Sequence, residues 1–162
     1  MDFRIGFGYD SHRFGENRPL FLGGVEIPYE KGLVAHSDGD ALIHALCDAL
    51  LGAASLDDIG THFPDTAAEF KSIDSKILLE RVMFLIEQKG FAVNNADMTI
   101  VAEKPKMAPY TDSLKNVLAR LLKISEDKIA IKAKTNEGMG FTGQGEGIAT
   151  FAVVTLINSS TN

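Results

Sequence analysis

The sequence predicts an α+β fold, in which a mixed four-stranded main sheet carries helices on one face and a small hairpin lies near the amino terminus. Two observations lead to this prediction. Segments with strand character and segments with helical spacing follow one another in the order β, β, α, α, β, α, β, β. The chain has 162 residues, of which 45% are hydrophobic, and this suffices for one hydrophobic core. Because no repeat or linker divides it, residues 1–162 are predicted to form a single domain.

The amino-terminal part of the chain contains two predicted strands and a helix. Residues 3–9 and 20–28 have strand character, and we expect these two strands to pair as a hairpin. A helix is predicted over about residues 38–54, where Ser37 or Asp38 offers a side-chain oxygen that can cap the first turn.

The middle of the chain combines a polar loop with a second helix. Residues 57–65 are polar and interrupted by Gly and Pro, so we expect an irregular loop of the kind that often holds substrate. The second helix is predicted to begin at Ser72 or Asp74 and to stop at Gly90, because apolar residues recur at helical spacing between them. Residues 91–102 then have strand character.

The last third of the chain is predicted to be a third helix followed by two strands. Residues 104–109 form a turn into the helix, and the strands cover residues 128–135 and 148–157. The Gly-rich connection at residues 138–147 opens into a strand and not into a helix, so it is not a dinucleotide-binding loop. It favours a turn with unusual backbone angles.

Three side chains form a candidate metal site. Asp10 and His12 are two residues apart, so on a strand both project from one face and can bind one ion. His44, on the first predicted helix, supplies a third ligand and leaves a tetrahedral zinc one open position for substrate. Asp40 and Asp48 lie four residues to either side of His44, and either could accept a hydrogen bond from its other ring nitrogen. The alternative is a solvated polar stripe, but the apolar neighbours of His44 place it at the edge of the core.

Composition excludes several classes of function. The formal charge of −6 and the pI near 5.2 argue against a nucleic-acid-binding protein. The amino terminus lacks a signal pattern, and the longest apolar run, residues 148–157, is too short to span a bilayer. We therefore expect a cytoplasmic protein without a membrane partner. The single cysteine, Cys47, lies among apolar helix residues and is expected to be a buried thiol.

A second, weaker signal for metal binding lies at residues 135–137. Thr135 and Glu137, at the end of a predicted strand, offer a hydroxyl and a carboxylate, which a hard divalent cation bridging phosphates would use. By itself this tripeptide decides nothing. The chain has no Walker lysine motif and no Gly-x-Ser-x-Gly motif.

Seven motifs follow one another in register between residues 4 and 157: Asp10-x-His12; Ala35-His36-Ser37-Asp38-Gly39-Asp40 with His44; Asp58-Ile59-Gly60; Phe63-Pro64-Asp65-Thr66; Pro105-Lys106-Met107; Thr135-x-Glu137; and Gly140-Phe141-Thr142-Gly143 with Gly145-Glu146-Gly147. Together they resemble the signature of the 2-C-methyl-D-erythritol 2,4-cyclodiphosphate synthase family. The resemblance implies a cyclising phosphorus-oxygen lyase of the non-mevalonate isoprenoid pathway. In that reaction the 2-phosphate of 4-diphosphocytidyl-2-C-methyl-D-erythritol 2-phosphate attacks the β-phosphorus, expels CMP and closes a cyclic diphosphate.

The resemblance also implies a role for each matching residue. Asp10, His12 and His44 would bind one zinc ion per subunit, and Glu137 would lie beside a Mg²⁺ or Mn²⁺ that arrives with the substrate. His36 and Thr135 would stabilise the transition state. The residues implied to contact substrate are Asp10, His12, His36, Ser37, Asp58, Ile59, Gly60, Phe63, Asp65, Ala102, Pro105, Lys106, Met107, Ala108, Ala133, Lys134, Thr135, Glu137 and Phe141.

The family assembles as a homotrimer, so the resemblance implies an active site between subunits, with zinc on one chain and the cytidine pocket on its neighbour. Members often carry an arginine at the position of Gln144, facing a central cavity, and this departure predicts weak binding of isoprenoid phosphates there. Two other readings of the motifs stay open. One is a zinc-dependent hydrolase of another phosphoester, and the other is a non-catalytic nucleotide-binding or metal-storage protein.

Overall fold

The structure, a computed structural model, describes residues 3–64 and 66–159. The strands and helices along the chain are β1 (Phe3–Gly15), β2 (Leu20–Leu22), β3 (Val25–Ile27), β4 (Gly32–Leu33), α1 (Ala41–Ala53), α2 (Ile59–His62), α3 (Ser75–Gln88), β5 (Phe91–Val101), α4 (Thr111–Leu122), β6 (Ile129–Lys134), α5 (Gly140–Gly143) and β7 (Gly147–Asn158). Single 3₁₀ turns occur at Ala68–Phe70, Ala108–Tyr110 and Glu126–Lys128. This content confirms the predicted α+β class.

The main sheet has five strands in the order β4-β1-β7-β5-β6, not the predicted four. Strand β1 pairs antiparallel with β7, β7 pairs antiparallel with β5, and β5 and β6 run parallel, joined by a crossover through α4. The fifth strand is β4, whose two residues pair with Phe14 and Gly15 at the end of β1. A two-residue strand is too short to leave a pattern of alternating side chains, so the sequence did not predict it.

The small hairpin exists, but its strands are β2 and β3, so the predicted pairing of the first two strands is wrong. Leu20 pairs with Ile27 and Leu22 with Val25. Between them Gly23 and Gly24 both have positive φ, at 58° and 76°, and two such residues form the tight turn that suits the twist of a hairpin. Strand β1 has its edges occupied by β7 and β4 instead.

The three long helices pack on one face of the sheet, as predicted. Helix α1 lies across β1 and β7, α3 packs against α1 and β5, and α4 lies against β6 and α3. The close approach of α1 depends on Gly6 and Gly8 in β1, because a Cβ at Gly8 would lie 1.9 Å from the carbonyl oxygen of Ala45. Hydrophobic side chains fill the space between helices and sheet, and Cys47 is buried among them, as expected.

Helix α1 begins three residues later than predicted, and neither Ser37 nor Asp38 caps it. Gly39 has a φ of 81°, which interrupts helical geometry, and Asp40 is the N-cap. The buried Asp40 carboxylate accepts a hydrogen bond from the amide of Ile43 at 3.0 Å and others from the Gly23–Gly24 turn at 2.9 and 2.7 Å. It therefore fixes the start of α1 to the hairpin.

The predicted second and third helices are confirmed as α3 and α4. Two one-turn helices, α2 and α5, lie in segments that were predicted to be irregular. Asp74, one of the two predicted starts, caps α3. The expected irregular loop at residues 57–65 contains the one-turn helix α2, capped by Asp58. The Gly-rich connection contains α5, another single turn. Among the described residues, no helix has the length and apolar character needed to cross a membrane.

Candidate metal centre

The candidate centre lies where β1 passes the amino-terminal turns of α1. Side chains of a strand alternate between its two faces, so Asp10 and His12 project from the same face as Gly6 and Gly8, toward α1. His44 lies in the first turns of α1 and points back at this strand. The predicted convergence of these three side chains is therefore confirmed.

The three candidate ligand atoms form a nearly equilateral triangle. Asp10 Oδ2 lies 2.9 Å from His12 Nε2 and 3.0 Å from His44 Nδ1, and the two nitrogens are 3.2 Å apart. In a tetrahedral zinc site with bonds of about 2.0–2.1 Å, neighbouring ligand atoms are about 3.3 Å apart. A carboxylate oxygen and two imidazole nitrogens at this spacing fit zinc, and a fourth position stays open.

Electrostatics in this triangle favour the deprotonated carboxylate. Burial by itself would raise the pKa of the Asp10 carboxyl, but the hydrogen bonds and charges of His12 and His44 outweigh burial and hold that pKa well below its usual range. Burial lowers the pKa of His44, whereas the hydrogen bond and charge of Asp10 raise it more, so the net pKa is above the ordinary histidine value. Asp10 is thus ready to bind a cation.

The other ring nitrogen of His44 contacts two hydroxyl groups, and this corrects the prediction that Asp40 or Asp48 holds it. Nε2 lies 3.0 Å from Ser75 Oγ and 3.1 Å from Ser37 Oγ. Asp40 is occupied as the helix cap. Helical spacing puts both aspartates on the same side of α1 as His44, but it does not align them with the edge of the ring.

Asp48 has a different role, which is to hold α2 against α1. Its Oδ1 accepts a hydrogen bond from the amide of Ile59 at 2.8 Å. Burial raises the pKa of the Asp48 carboxyl, although the Ile59 amide opposes the shift.

Two predicted substrate contacts lie outside this network. Asp58 caps α2 through Thr61 and is exposed. Asp65 lies outside the described residues.

A pocket of about 300 Å³ opens directly from the metal triangle. Its polar end is formed by Asp10, His12, His36, Ser37, His44 and Asp48, and its apolar wall by Ala35, Ile59, Gly60, Phe63, Phe70, Ile73 and Leu78. His36 Nε2 is buried without a hydrogen-bond partner among the described residues. The pocket therefore offers a polar group that a ligand could satisfy. The predicted substrate contacts His36, Ser37, Ile59, Gly60 and Phe63 all line it.

The other predicted substrate contacts form a second group, at the far edge of the sheet. The chain after β5 and the chain after β6 run side by side, because the amide of Ala102 donates to the carbonyl of Lys134 at 2.9 Å. Residues 105–108 and 133–137 flank this contact. Thr135 Oγ1 donates to Glu137 Oε1 at 2.9 Å, so the predicted hydroxyl and carboxylate are adjacent.

These two groups do not meet within one chain. Lys134 pairs with Val101, Val101 with Ala149, and Ala149 with Ser11, so one row across four strands connects them. Three strand spacings amount to roughly 14 Å. Phe141 lies in α5 and is exposed, and Gln144 follows it, with its Nε2 donating to the carbonyl of Gly138 at 3.0 Å.

Sequence reasoning missed the residues behind His44. Ser75 is fully buried at the start of α3, and its hydroxyl and amide both donate to Asp38. Ser75 lies 31 residues from His44, and a serine after a helix cap carries no signal of its own. The apolar side chains of Phe70, Ile73 and Leu78 were likewise predicted only as packing residues or not at all.

Comparison with known proteins shows the family. The YgbB family profile matches residues 3–157. The chain is 59% identical over 154 residues to the 2-C-methyl-D-erythritol 2,4-cyclodiphosphate synthase of Nitrosococcus oceani, which covers 95% of this chain and 98% of the relative.

Solved structures agree in fold. A 2C-methyl-D-erythritol-2,4-cyclodiphosphate synthase in its CDP-bound form has a TM-score of 0.88 at 42% identity and covers 95% of this chain and all of its own. The bifunctional IspDF of Campylobacter jejuni has a TM-score of 0.93 at 42% identity over 98% of this chain, which spans 44% of that longer protein. The chain therefore belongs to the YgbB family, together with the 2-C-methyl-D-erythritol 2,4-cyclodiphosphate synthases, as its seven motifs indicated.

Proposed function

We propose that this chain converts 4-diphosphocytidyl-2-C-methyl-D-erythritol 2-phosphate to 2-C-methyl-D-erythritol 2,4-cyclodiphosphate and releases CMP. The observation that carries the proposal is the metal triangle of Asp10, His12 and His44 at the mouth of a pocket, in a chain 59% identical to a protein of that name. The reaction is an intramolecular phosphoryl transfer, so it makes the enzyme a cyclising phosphorus-oxygen lyase. We assign it to the cytoplasm, with no nucleic-acid or membrane partner.

Zinc is the proposed ion at the triangle, because one carboxylate and two imidazoles form its usual donor set. Held by these three side chains, it would supply Lewis-acid chemistry toward a phosphate oxygen of the substrate and would help to position it. The protein has little covalent work to do, because both phosphates belong to one molecule and phosphoryl transfer depends on alignment and charge neutralisation. A hydroxyl does lie beside an imidazole in the pocket lining, with Ser37 Oγ 3.1 Å from His44 Nε2, but the proposal assigns His44 to the metal and needs no side-chain nucleophile.

His36 and Ser37 are the proposed contacts to the phosphates. Both line the polar end of the pocket, and the buried Nε2 of His36, which has no hydrogen-bond partner among the described residues, could donate to a phosphate oxygen. Both also precede the amino terminus of α1, where the helix dipole favours negative charge. His36 is therefore proposed to stabilise the transition state. The apolar wall, with Ile59 and Phe63, is proposed to hold the methylerythritol carbon skeleton.

The second group of residues is proposed to bind the cytidine and the second ion. Residues 102–108 and 133–135 would hold the base and ribose, and Glu137 would hold Mg²⁺ or Mn²⁺ beside the diphosphate. Thr135, hydrogen-bonded to Glu137, is proposed to stabilise the transition state from this side. Relatives solved with CDP support a cytidine diphosphate subsite in this family.

A homotrimer is proposed because, within one chain, the metal triangle and the proposed cytidine-binding residues lie roughly 14 Å apart across the sheet. Strand β1 also exposes four large apolar side chains, Phe3, Ile5, Phe7 and Tyr9, on the face of the sheet that the helices leave open. A neighbouring subunit packed on this face would bury them and bring its cytidine group to the metal triangle.

The reaction is tested by phosphorus NMR of the purified protein with the proposed substrate, Zn²⁺ and Mg²⁺. We expect CMP and a new cyclic diphosphate signal, with no inorganic phosphate. Release of inorganic phosphate would favour a zinc-dependent hydrolase, and binding without turnover would favour a nucleotide-binding protein. Protein stripped of metal by a chelator serves as the control and should convert nothing until zinc is restored.

The trimer is tested by sedimentation velocity of two matched variants. Phe7 is 63% exposed on β1 and Phe84 is 60% exposed on α3, so a charge costs each isolated chain little. Phe7→Glu should shift the protein from trimer to monomer, because a carboxylate would be buried at the interface. Phe84→Glu should leave the trimer intact. An unchanged trimer in Phe7→Glu would exclude this face of β1 from the interface.

A further inference from the structure

The hydrogen bonds behind His44 have a definite direction. Ser75 is 0% exposed, and its hydroxyl donates a short hydrogen bond to Asp38 Oδ1, while its backbone amide donates to Asp38 Oδ2 at 2.9 Å. A hydroxyl has one hydrogen to donate. Because that hydrogen is used on Asp38, Ser75 Oγ can only accept from His44 Nε2, which lies 3.0 Å away. Nε2 must then carry the proton.

A proton on Nε2 leaves the lone pair of the neutral imidazole on Nδ1. Nδ1 is the atom that faces Asp10 Oδ2 at 3.0 Å and His12 Nε2 at 3.2 Å, in the metal triangle. The direction of the hydrogen bonds and the direction of metal ligation therefore agree. A histidine that binds metal with one nitrogen generally donates its other N–H to an anchored acceptor, which fixes the ring and its tautomer.

Ser37 is the competing acceptor for the same proton. Its Oγ lies 3.1 Å from His44 Nε2 and accepts from the amide of Gly39 at 3.2 Å. Ser37 differs from Ser75 in that it lines the pocket, and within the described part of the chain its hydroxyl makes no hydrogen bond to a carboxylate. If Ser75 takes the Nε2 proton, the hydroxyl hydrogen of Ser37 stays available for a ligand in the pocket.

We propose that Ser75 and Asp38 are positioning residues for the metal centre, in which the Asp38 carboxylate orients the Ser75 hydroxyl and that hydroxyl holds the Nε2–H of His44. The inference deepens the proposed function, because it rests on a metal ion at Asp10, His12 and His44. It attributes part of the metal affinity to two residues that contact neither metal nor substrate. Their effect is to place the proton of the neutral His44 ring on Nε2, so that the lone pair of Nδ1 faces the ion.

Zinc affinity tests this proposal without substrate. Titration against a chromophoric chelator at pH 7 should show that Ser75→Ala weakens zinc binding by roughly tenfold to a hundredfold, the usual effect of removing such a partner. Asp38→Asn should weaken it by a similar factor, and the double variant by less than the product of the two. Ser37→Ala is the matched control, because it removes the other hydroxyl that contacts His44 Nε2. It should keep zinc affinity within about threefold, because Ser75 still holds the Nε2 proton.

A spectroscopic measurement on the wild-type protein keeps the proposal testable even if Ser75→Ala does not fold. In ¹⁵N-histidine-labelled, zinc-loaded protein, His44 should be the Nε2–H tautomer with a downfield N–H proton protected from solvent exchange. An Nδ1–H tautomer, or unchanged zinc affinity in folded Ser75→Ala, would overturn the proposal. A loss of affinity in Ser37→Ala alone would assign the role to Ser37 instead. If the protein turns over nothing but these results hold, the proposed reaction fails and this inference stands.

Discussion

The substitution Gly8→Ala should damage the metal centre without touching any ligand. A Cβ at position 8 would lie 1.9 Å from the carbonyl oxygen of Ala45, the residue after His44. Ordinary van der Waals contact begins at about 3.4 Å, so α1 must withdraw from β1 by roughly 1.5 Å. The atom in the way is backbone, and no side-chain rotation can relieve it.

The size of the effect follows from this shift. Overpacking of a well-packed core costs about 1–3 kcal/mol. In a domain of this length each kcal/mol lowers Tm by roughly 2–4 °C. His44 moves with α1, so its 3.0 Å distance to Asp10 Oδ2 would grow by up to roughly the same 1.5 Å, far beyond the ±0.2 Å that metal–ligand distances tolerate. Zinc affinity should therefore fall on the order of tenfold or more.

The assay combines thermal unfolding with zinc titration, and Gly52→Ala is the matched control. Gly52 lies in the same helix, but a Cβ there would meet no atom of the described residues within 4 Å. Since alanine favours a helix over glycine by up to about 1 kcal/mol, Gly52→Ala should be slightly more stable and bind zinc normally. A Gly8→Ala protein with wild-type Tm and zinc affinity would show that the contact between α1 and β1 does not set the geometry of the centre.

Three further predictions concern the same region. His44→Ala should lose most zinc and nearly all turnover while the fold survives, which elemental analysis and circular dichroism would check; full zinc occupancy in the folded variant would remove His44 from the site. In metal-free protein, the stability lost in Asp10→Asn should be greatest between about pH 4 and 6.5. Because the pKa of Asp10 is lowered in the folded protein, the stability that Asp10 contributes is lost as the pH falls below the ordinary carboxyl pKa. Because the pKa of His44 is raised in the folded protein, the stability that His44 contributes is lost as the pH rises past the ordinary histidine pKa. Urea titrations across pH measure this difference, and a flat profile would contradict it. Cys47 is fully buried, and burial raises its pKa well above the ordinary thiol value, so a thiol reagent at pH 8 should modify it only when urea unfolds the protein.

The candidate metal ligands were predictable because local geometry alone fixes part of their arrangement. Two residues separated by one position on a strand share a face, so Asp10-x-His12 predicts a ligand pair wherever the strand lies. His44 was predictable because apolar neighbours at helical spacing put it at the edge of the core. Helix α3 was predictable for the same reason, from its apolar spacing and from the Asp74 cap.

The errors concern contacts between residues far apart in sequence. The pairing of β1 with β7 joins Phe3 to Ile157, and no property of residues 3–15 selects that partner over the nearer β2. Ser75 reaches His44 only because α3 packs against α1. Periodicity predicts which face of an element is apolar, but it does not predict which polar atom of another element will meet it.

The glycines of β1 explain why the amino terminus of a helix and the candidate metal site lie together in this fold. Gly6 faces Ala49 and Ala53, and Gly8 faces Ala45 and Ala49, so α1 runs antiparallel to β1 in close contact. Beyond Gly8, β1 therefore reaches the amino terminus of α1. The next side chains on the face of β1 that packs against α1 are Asp10 and His12. The candidate metal ligands on the strand and the positive end of the helix dipole lie side by side as a consequence of this packing. A metal ion bound there and the helix dipole would both place positive charge at this point, which would help a chain with a net charge of −6 to bind the diphosphate of the proposed substrate.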